Sequence, residues 1–124
     1  MTYLDTHAVI WLLKGSTGLS RRARQIVETD DELLISPIVL LELENLYEIG
    51  RLTSAPEDIF SDMGAAIGLR VCDYPFSVVV NHAMRERWTR DPFDRIIVGQ
   101  ARSRRAALVT NDGRITQNYD LAVW

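Results

Sequence analysis

Short apolar runs alternate with longer, capped segments along this chain, and no turn sequence typical of a β-hairpin separates them. Parallel strands need long crossover connections, so strands that alternate with helices indicate a parallel sheet. The pattern therefore predicts an α/β fold built around a parallel sheet. The predicted strands are Thr2–Leu4, Leu33–Ile35, Leu69–Cys72, Ala107–Thr110 and Leu121–Trp124.

Capping residues and prolines place helices between these strands. Ser, Thr and Asp favour the position before a helix, and proline favours its first residue. The tripeptide Asn111-Asp112-Gly113 is predicted to be a turn. The predicted helices run from Asp5 or Thr6 to Lys14, from Ser20 through an arginine-rich segment, from Ile38 to Ile49, from Pro56 to Gly68, from Ser77 to Arg87, and from Asp91-Pro92 to about Arg104.

Length and charge limit the class of protein. With 124 residues and neither repeat nor linker, the chain is expected to form one domain spanning residues 1–124. The single cysteine, Cys72, excludes an intramolecular disulfide. No basic region precedes an apolar run at the N-terminus, and no segment reaches the length of a membrane span, so a cytoplasmic protein without a membrane partner is expected. A formal net charge of −3 argues against binding nucleic acid by bulk charge.

Carboxylates follow the predicted strands. Asp5 ends the first strand, and Asp112 lies just beyond the fourth. Asp91 and Asp94, three residues apart at a helix start, share a helix face, and Glu42 lies near the start of the helix after the second strand. Open parallel sheets bind ligands at the carboxyl ends of their strands. We therefore expect these acids to lie along one rim of the sheet.

Such a cluster of acids needs compensation. Two carboxylates about 4 Å apart repel each other by roughly 4 kcal/mol at an effective dielectric constant near 20. The acids must therefore take up protons or bind a cation. Oxygen ligands select a hard ion such as Mg²⁺ or Mn²⁺, which can polarise a phosphoryl oxygen and make a bound water more acidic. The pattern thus favours phosphodiester hydrolysis.

Each acid also has a purely structural interpretation. Asp91 before Pro92 is a good helix cap, and Asp112 lies in an ordinary turn sequence. Glu42 shares its helix with other glutamates that are typical of solvated surface, although leucines flank it. Asp5 is hardest to explain in this way, because a charge between a buried strand and a buried helix is costly.

The other polar and aromatic candidates are less specific. His7 is predicted to pack near the site, with contact to substrate as the alternative. Trp11, Trp88 and Trp124 are interpreted as core or interface residues and not as platforms for base stacking.

Four segments together resemble the PIN-domain family, and within it the VapC-type ribonuclease toxins of bacterial toxin–antitoxin pairs. The segment from Arg90 to Ala101, which begins Arg-Asp-Pro-Phe-Asp-Arg, is the most specific and resembles the motif of the third acid. The four segments, in chain order, are Tyr3-Leu4-Asp5-Thr6-His7 followed by Trp11-Leu12-Leu13, Ser36 to Leu43 with Glu42 as its acid, Arg90 to Ala101 with Asp94, and Leu108-Val109-Thr110-Asn111-Asp112.

This resemblance implies an α/β/α sandwich with a central parallel sheet of about five short strands. It also implies Mg²⁺-dependent endoribonuclease activity, with Mn²⁺ able to substitute, an RNA substrate, an antitoxin partner and a homodimer. The residues expected to act are Asp5, Glu42, Asp94 and Asp112 as catalytic residues and metal ligands, Asp91, Thr110 and Thr6 in support, and Arg90 and Arg95 on the substrate backbone.

The sequence departs from the family pattern in two places. Thr89 stands where many relatives have histidine, two residues before Asp91, and the helix after Glu42 lacks the lysine that many relatives carry. Both changes affect the expected substrate contacts and leave the set of acids intact.

Two other functions fit the same residues. In a phosphotransfer domain, Asp5 would accept a phosphoryl group, although such domains usually carry a second acid where this chain has His7. In a binding module that has lost catalysis, only the partner surface would matter.

Overall fold

A parallel sheet forms the centre of the computed structural model, which describes residues 1–15 and 18–124. The strand order is β3-β2-β1-β4-β5, and every pair is parallel. In the described residues seven helices flank this sheet, which confirms the α/β/α sandwich expected from the sequence. The strands are β1 (Thr2–Leu4), β2 (Leu33–Ile35), β3 (Arg70–Val71), β4 (Ala107–Val109) and β5 (Ala122–Val123).

The helices begin where the sequence provides caps. Ser20 and Ser36 accept hydrogen bonds from backbone N–H groups of the helices they precede, and proline occupies the first turn of three helices. The helices are α1 (Thr6–Leu13), α2 (Arg21–Thr29), α3 (Pro37–Glu48), α4 (Pro56–Ile67), α5 (Phe76–Ala83), α6 (Pro92–Ser103) and α7 (Gly113–Asn118).

The order of the strands creates a crevice at one end of the sheet. From β1 the chain continues outwards through β2 to β3, and it then returns to the other side of β1 to form β4. Ligands bind at such a reversal of strand order, beyond the carboxyl ends of the two strands that meet there. Leu4 of β1 pairs with Val109 of β4, so Asp5 and Thr110 follow their strands at the same level.

The core is made by the inner faces of the strands and the helices above them. Tyr3, Leu4, Leu33, Ile35 and Leu108 are each at most 1% exposed. Such apolar strands, buried on both faces, are typical of parallel sheets.

Helices α5 and α6 pack very closely at Gly99. A Cβ at this position would lie 2.8 Å from the backbone nitrogen of Ala83, so the absence of a side chain sets the distance between the two helices. Because α6 carries Asp94, this contact also helps to set the position of Asp94 at the carboxyl end of the sheet.

Several predicted boundaries were wrong. Helix α5 ends at Ala83 and not at Arg87, because Glu86 turns inwards and is only 3% exposed. The predicted turn at Asn111-Asp112-Gly113 is the start of α7, with Asp112 as its cap. Strands β3, β4 and β5 are also shorter than predicted.

No helix in residues 1–15 and 18–124 is both long enough and apolar enough to cross a membrane.

Candidate active site

Asp5 lies in the crevice between β1 and β4 and is held by both of its carboxylate oxygens. Oδ1 accepts a hydrogen bond from the Ala8 N–H at 2.7 Å, which caps α1, and Oδ2 accepts a short one from the Thr110 hydroxyl. The side chain is almost fully buried, and burial raises the pKa of Asp5, although the bonds from Thr110 and Ala8 act in the opposite direction. Asp5 is therefore fixed in place at an electrostatic cost.

Thr110 connects Asp5 to Asp112. Its hydroxyl donates to Asp5 and accepts from the Asp112 N–H at 3.1 Å, while the residue itself is completely buried. Asp112 caps α7, since its Oδ1 accepts from the N–H groups of Arg114 at 2.8 Å and Ile115 at 3.0 Å. Thr110 therefore joins the two acids by hydrogen bonds, and its supporting role in catalysis stays a prediction.

Glu42 reaches the same rim from α3. Its Oε1 accepts a short hydrogen bond from the hydroxyl of Thr6, the first residue of α1. Glu42 is partly buried and is not a freely solvated surface acid. Thr6 therefore orients the second acid as Thr110 orients the first.

Asp91 and Asp94 enter from the start of α6. Asp91 is exposed and caps the helix, with its Oδ1 accepting from the Phe93 N–H at 2.8 Å. Asp94, in the first turn, is half-buried. Burial, followed by the charges of Asp91, Asp112, Glu42 and Asp5, raises the pKa of Asp94 to about 6. The five carboxylates therefore share one electrostatic environment.

These residues line a cavity of about 160 Å³, which we call the acid cavity. Four separate connections of the sheet contribute to it, as the sequence predicted for the acids. The carboxylates in its wall are those of Asp5, Glu42, Asp91, Asp94 and Asp112. A second cavity of about 240 Å³ adjoins it and shares Asp5, His7 and Asp112 with it.

The donor set of the acid cavity suits a hard divalent cation. Within the described part of the chain, no group of three or more His, Cys, Asp or Glu side chains forms a cage that could hold a metal ion. Mg²⁺ needs no such cage, because it keeps several waters and is commonly held by one or two carboxylates. Burial and then the charges of the neighbouring acids raise the pKa of Asp94, and a bound cation would offset both effects. The residues present therefore fit Mg²⁺.

The two predicted substrate arginines lie beside this cavity and not in its wall. Arg90 is exposed and donates to the carbonyl of Arg87 at 3.2 Å. Arg95 donates to the carbonyls of Ala83 at 3.1 Å and Met84 at 3.0 Å, at the end of α5. Their contact with a substrate backbone stays a prediction.

Glu86 is buried and holds the segment before Asp91 in place by hydrogen bonds. The sequence did not single out this residue. Glu86 accepts from the Trp88 indole N–H at 2.7 Å and pairs with Arg102 through a short hydrogen bond. Arg114, two residues after Asp112, lies over the Trp88 ring and donates to the Trp88 carbonyl. Glu86 stands between two arginines in the sequence, as a surface residue would, so no sequence pattern revealed it.

Thr89, at the position where the family resemblance led us to expect histidine, has a structural role of its own. Its buried hydroxyl accepts a hydrogen bond from the Asp91 N–H at 3.1 Å. The departure at this position therefore still orders the segment that leads into α6.

Two solved structures share this architecture. A toxin–antitoxin complex from Klebsiella pneumoniae contains a chain that is 17% identical, with a TM-score of 0.67 over 100% of this chain and 97% of that one. VapBC2 from Rickettsia felis, bound to a DNA fragment from its promoter, contains one that is 19% identical, with a TM-score of 0.69 over 100% and 98%. Curated protein sequences give no significant match. The family model described as "PIN domain" matches residues 2–121, nearly the entire length. The sequence match and the crevice between β1 and β4 agree, and this chain belongs to the PIN domain family.

Proposed function

We propose that this chain is a Mg²⁺-dependent endoribonuclease, with Mn²⁺ able to substitute, and that it is the toxin of a toxin–antitoxin pair. PIN domains are generally nucleases. The observation that carries the proposal is the acid cavity, in which carboxylates from four connections surround one small space. Burial, together with the charges of these neighbours, raises the pKa of Asp94 to about 6. Cleavage of a phosphodiester uses both the cation that such a cavity attracts and the water beside it.

Each acid has a proposed task. Asp5 and Asp94 hold the cation, and Glu42 and Asp112 complete its surroundings or orient the attacking water. When bound, the cation supplies positive charge to the phosphoryl oxygens and increases the acidity of a water. Thr110 and Thr6 fix the carboxylates of Asp5 and Glu42 by hydrogen bonds, which preorganises the site.

Asp91 supports the site from the helix start. Its cap fixes the first turn of α6, and its charge contributes to the raised pKa of Asp94. The exposed Arg90 is proposed to contact the RNA backbone. Arg95 is proposed to do so by releasing its bonds to the end of α5.

Hydrolysis fits the geometry better than phosphotransfer through Asp5. Both oxygens of Asp5 already accept hydrogen bonds, and the residue is only 4% exposed. A phosphoryl acceptor must attack phosphorus and then carry a bulky covalent phosphoryl group, for which this buried position leaves little room, whereas each oxygen keeps a second lone pair that can face a cation in the cavity. The presence of Asp5, Glu42, Asp94 and Asp112 in the wall of one cavity argues against a binding module that has lost catalysis.

An antitoxin partner is supported by the surface of α3. Leu41, Tyr47 and Ile49, on and just after this helix, are 52%, 41% and 65% exposed, and an apolar cavity of about 380 Å³ lies between α3 and α4. Exposed apolar surface of this kind marks protein interaction sites. Both structural neighbours are toxin–antitoxin complexes. Antitoxin binding, a homodimer and a cytoplasmic location belong to the proposal.

The test is RNA cleavage by purified protein. Wild type should cut a library of random-sequence single-stranded RNA in Mg²⁺ or Mn²⁺, EDTA should abolish the reaction, and added Mg²⁺ should restore it. Asp5→Asn and Asp94→Asn should lower the rate by several orders of magnitude, since each removes a proposed ligand. Asp31→Asn is the matched control, because Asp31 is an exposed acid just before β2, at the amino ends of the strands and away from the acid cavity.

Two results would contradict the proposal. The first is near-normal cleavage by Asp94→Asn protein with a native circular dichroism spectrum. The second is the absence of metal-dependent cleavage by clean wild-type protein, which would favour the binding module.

A further inference from the structure

The cavity beside the acid cavity has a wall of a different chemical kind. It measures about 240 Å³ and is lined by Trp11, His7 and Asn111 together with the rim acids Asp5 and Asp112. We call it the Trp11 cavity. Because it shares Asp5 and Asp112 with the acid cavity, a molecule bound at the acids extends directly into it.

Trp11 forms a fixed aromatic wall of this cavity. It lies one helical turn after His7 on the same face of α1, and it is 37% exposed. Gly18 packs against its ring so tightly that a Cβ there would lie 2.4 Å from the indole carbons. Trp11 was expected in the core or in an interface; its exposure shows that it is not a core residue, and the ring opens onto the site.

The polar groups around this ring are unused within the protein. In residues 1–15 and 18–124, the side chains of His7 and Asn111 and the indole N–H of Trp11 make no hydrogen bond to the chain. An amide offers both a donor and an acceptor, and an imidazole offers the same in its neutral form. These are the groups that read the edges of unpaired bases.

Charge restricts what enters the Trp11 cavity. Asp5 and Asp112 at its rim repel a phosphate that no cation compensates, so the group that fits is uncharged. A flat aromatic ring with polar edges suits an indole wall flanked by an amide and an imidazole. Among the parts of an RNA nucleotide, only the base has these properties.

We propose that the Trp11 cavity binds one base of single-stranded RNA, that of a nucleotide adjacent to the phosphate at the acid cavity. Trp11 stacks on the base, and Asn111 and His7 contact its edge. The proposal rests on the ribonuclease function and adds to it a subsite that selects the nucleotide next to the cleaved bond.

The test measures binding without cleavage, in an Asp94→Asn background. Fluorescence anisotropy gives the Kd for labelled twelve-nucleotide oligo(A), oligo(C) and oligo(U), and for a twelve-unit oligomer of tetrahydrofuran abasic sites. Adding Trp11→Ala should raise the Kd for at least one RNA by about 5- to 150-fold, the loss expected for one stacked base. The Kd for the abasic oligomer should not change.

Two further variants separate stacking from a structural effect. Trp11→Phe should retain most of the affinity, since it keeps an aromatic face. Phe76→Ala, which removes an exposed aromatic residue from the start of α5, should leave every Kd unchanged. If Trp11→Ala fails to fold, Trp11→Leu replaces it with the same expected result, because leucine fills space without stacking.

The proposal is overturned if Trp11→Ala leaves all three RNA affinities unchanged, or if it weakens binding of the abasic oligomer as much as binding of the RNAs. It is also overturned if the Asp94→Asn protein binds none of the RNAs. Cleavage by wild-type protein is scored separately. RNA cleavage without a Trp11 effect refutes only the subsite. A Trp11 effect without cleavage supports base binding in this cavity and refutes the ribonuclease, and with it the selection of a cleaved bond.

Discussion

Replacing Asp94 with asparagine should stabilise the metal-free protein while it abolishes cleavage. Burial and the surrounding acids raise the pKa of Asp94 from 3.8 to about 6, so its ionised form is destabilised in the folded state. Below pH 3.8 the carboxyl is protonated in both folded and unfolded chains and carries no penalty. As the pH rises through 6 the folded protein loses this stability, and asparagine avoids the loss.

The magnitude follows from the pKa difference. Roughly 2 pKa units at 1.36 kcal/mol each correspond to about 3 kcal/mol. Asp94 is half-buried, and solvent screening reduces this to about 1–2 kcal/mol. Asp94 also lies in the first turn of α6, where a negative charge gains about 0.3–1 kcal/mol that asparagine forgoes. The net gain at pH 7.5 is about 1 kcal/mol, or about 4 °C in Tm.

Urea unfolding in metal-free buffer at pH 7.5 and pH 4 measures this effect. The advantage of Asp94→Asn should be clear at pH 7.5 and nearly absent at pH 4, where the wild-type carboxyl is mostly protonated. Asp31→Asn makes the same change in charge on an exposed acid and should have little effect at either pH. An Asp94→Asn protein that is less stable than wild type at pH 7.5, or equally stabilised at both pH values, would refute the electrostatic account.

Three other perturbations follow from the structure. Thr110→Val is nearly isosteric and removes the hydroxyl that donates to buried Asp5, so it should lower the free energy of unfolding by about 1–3 kcal/mol in urea at pH 7.5. Thr110→Ser, which keeps a hydroxyl, should retain most of the wild-type stability. An unchanged free energy of unfolding in the valine variant would contradict this account. Gly99→Ala places a Cβ 2.8 Å from the Ala83 nitrogen and should lower stability by about 1–3 kcal/mol, so an unchanged Tm would show that α5 and α6 separate easily. Free Mg²⁺ at ten times its Kd should raise the free energy of unfolding of wild type by about 1.4 kcal/mol and that of Asp94→Asn much less. Equal increases in Tm for the two proteins would mean that the ion binds elsewhere.

The local elements were largely predictable because their signals are local. The runs Thr2–Leu4 and Leu33–Ile35 are strands with the predicted bounds, and Ser20 and Ser36 cap helices. The failures occurred where a long-range contact decides the local structure. Helix α5 stops early because Glu86 is drawn inwards to Trp88 and Arg102, which lies sixteen residues further along the chain.

The distinction between local and long-range signals also holds for the candidate active site. The sequence placed Asp5 and Asp112 after strands and Asp94 at a helix start, and the motif order indicated the PIN domain family, which the family match shows. The side chains of Glu86 and Trp11 gave no such signal, since the position of each depends on residues distant in sequence or on the packing of one glycine.

By itself, the sequence determined the kind of fold, the positions of the acids and the ligand chemistry they favour, because periodicity, capping and charge act over a few residues. Only the tertiary structure decided that β1 lies beside β4, that Thr110 therefore bonds to Asp5, and that the five carboxylates share one cavity. The pairing of strands separated by about a hundred residues depends on burying both faces of the sheet, and this free energy exists only once the whole chain has folded.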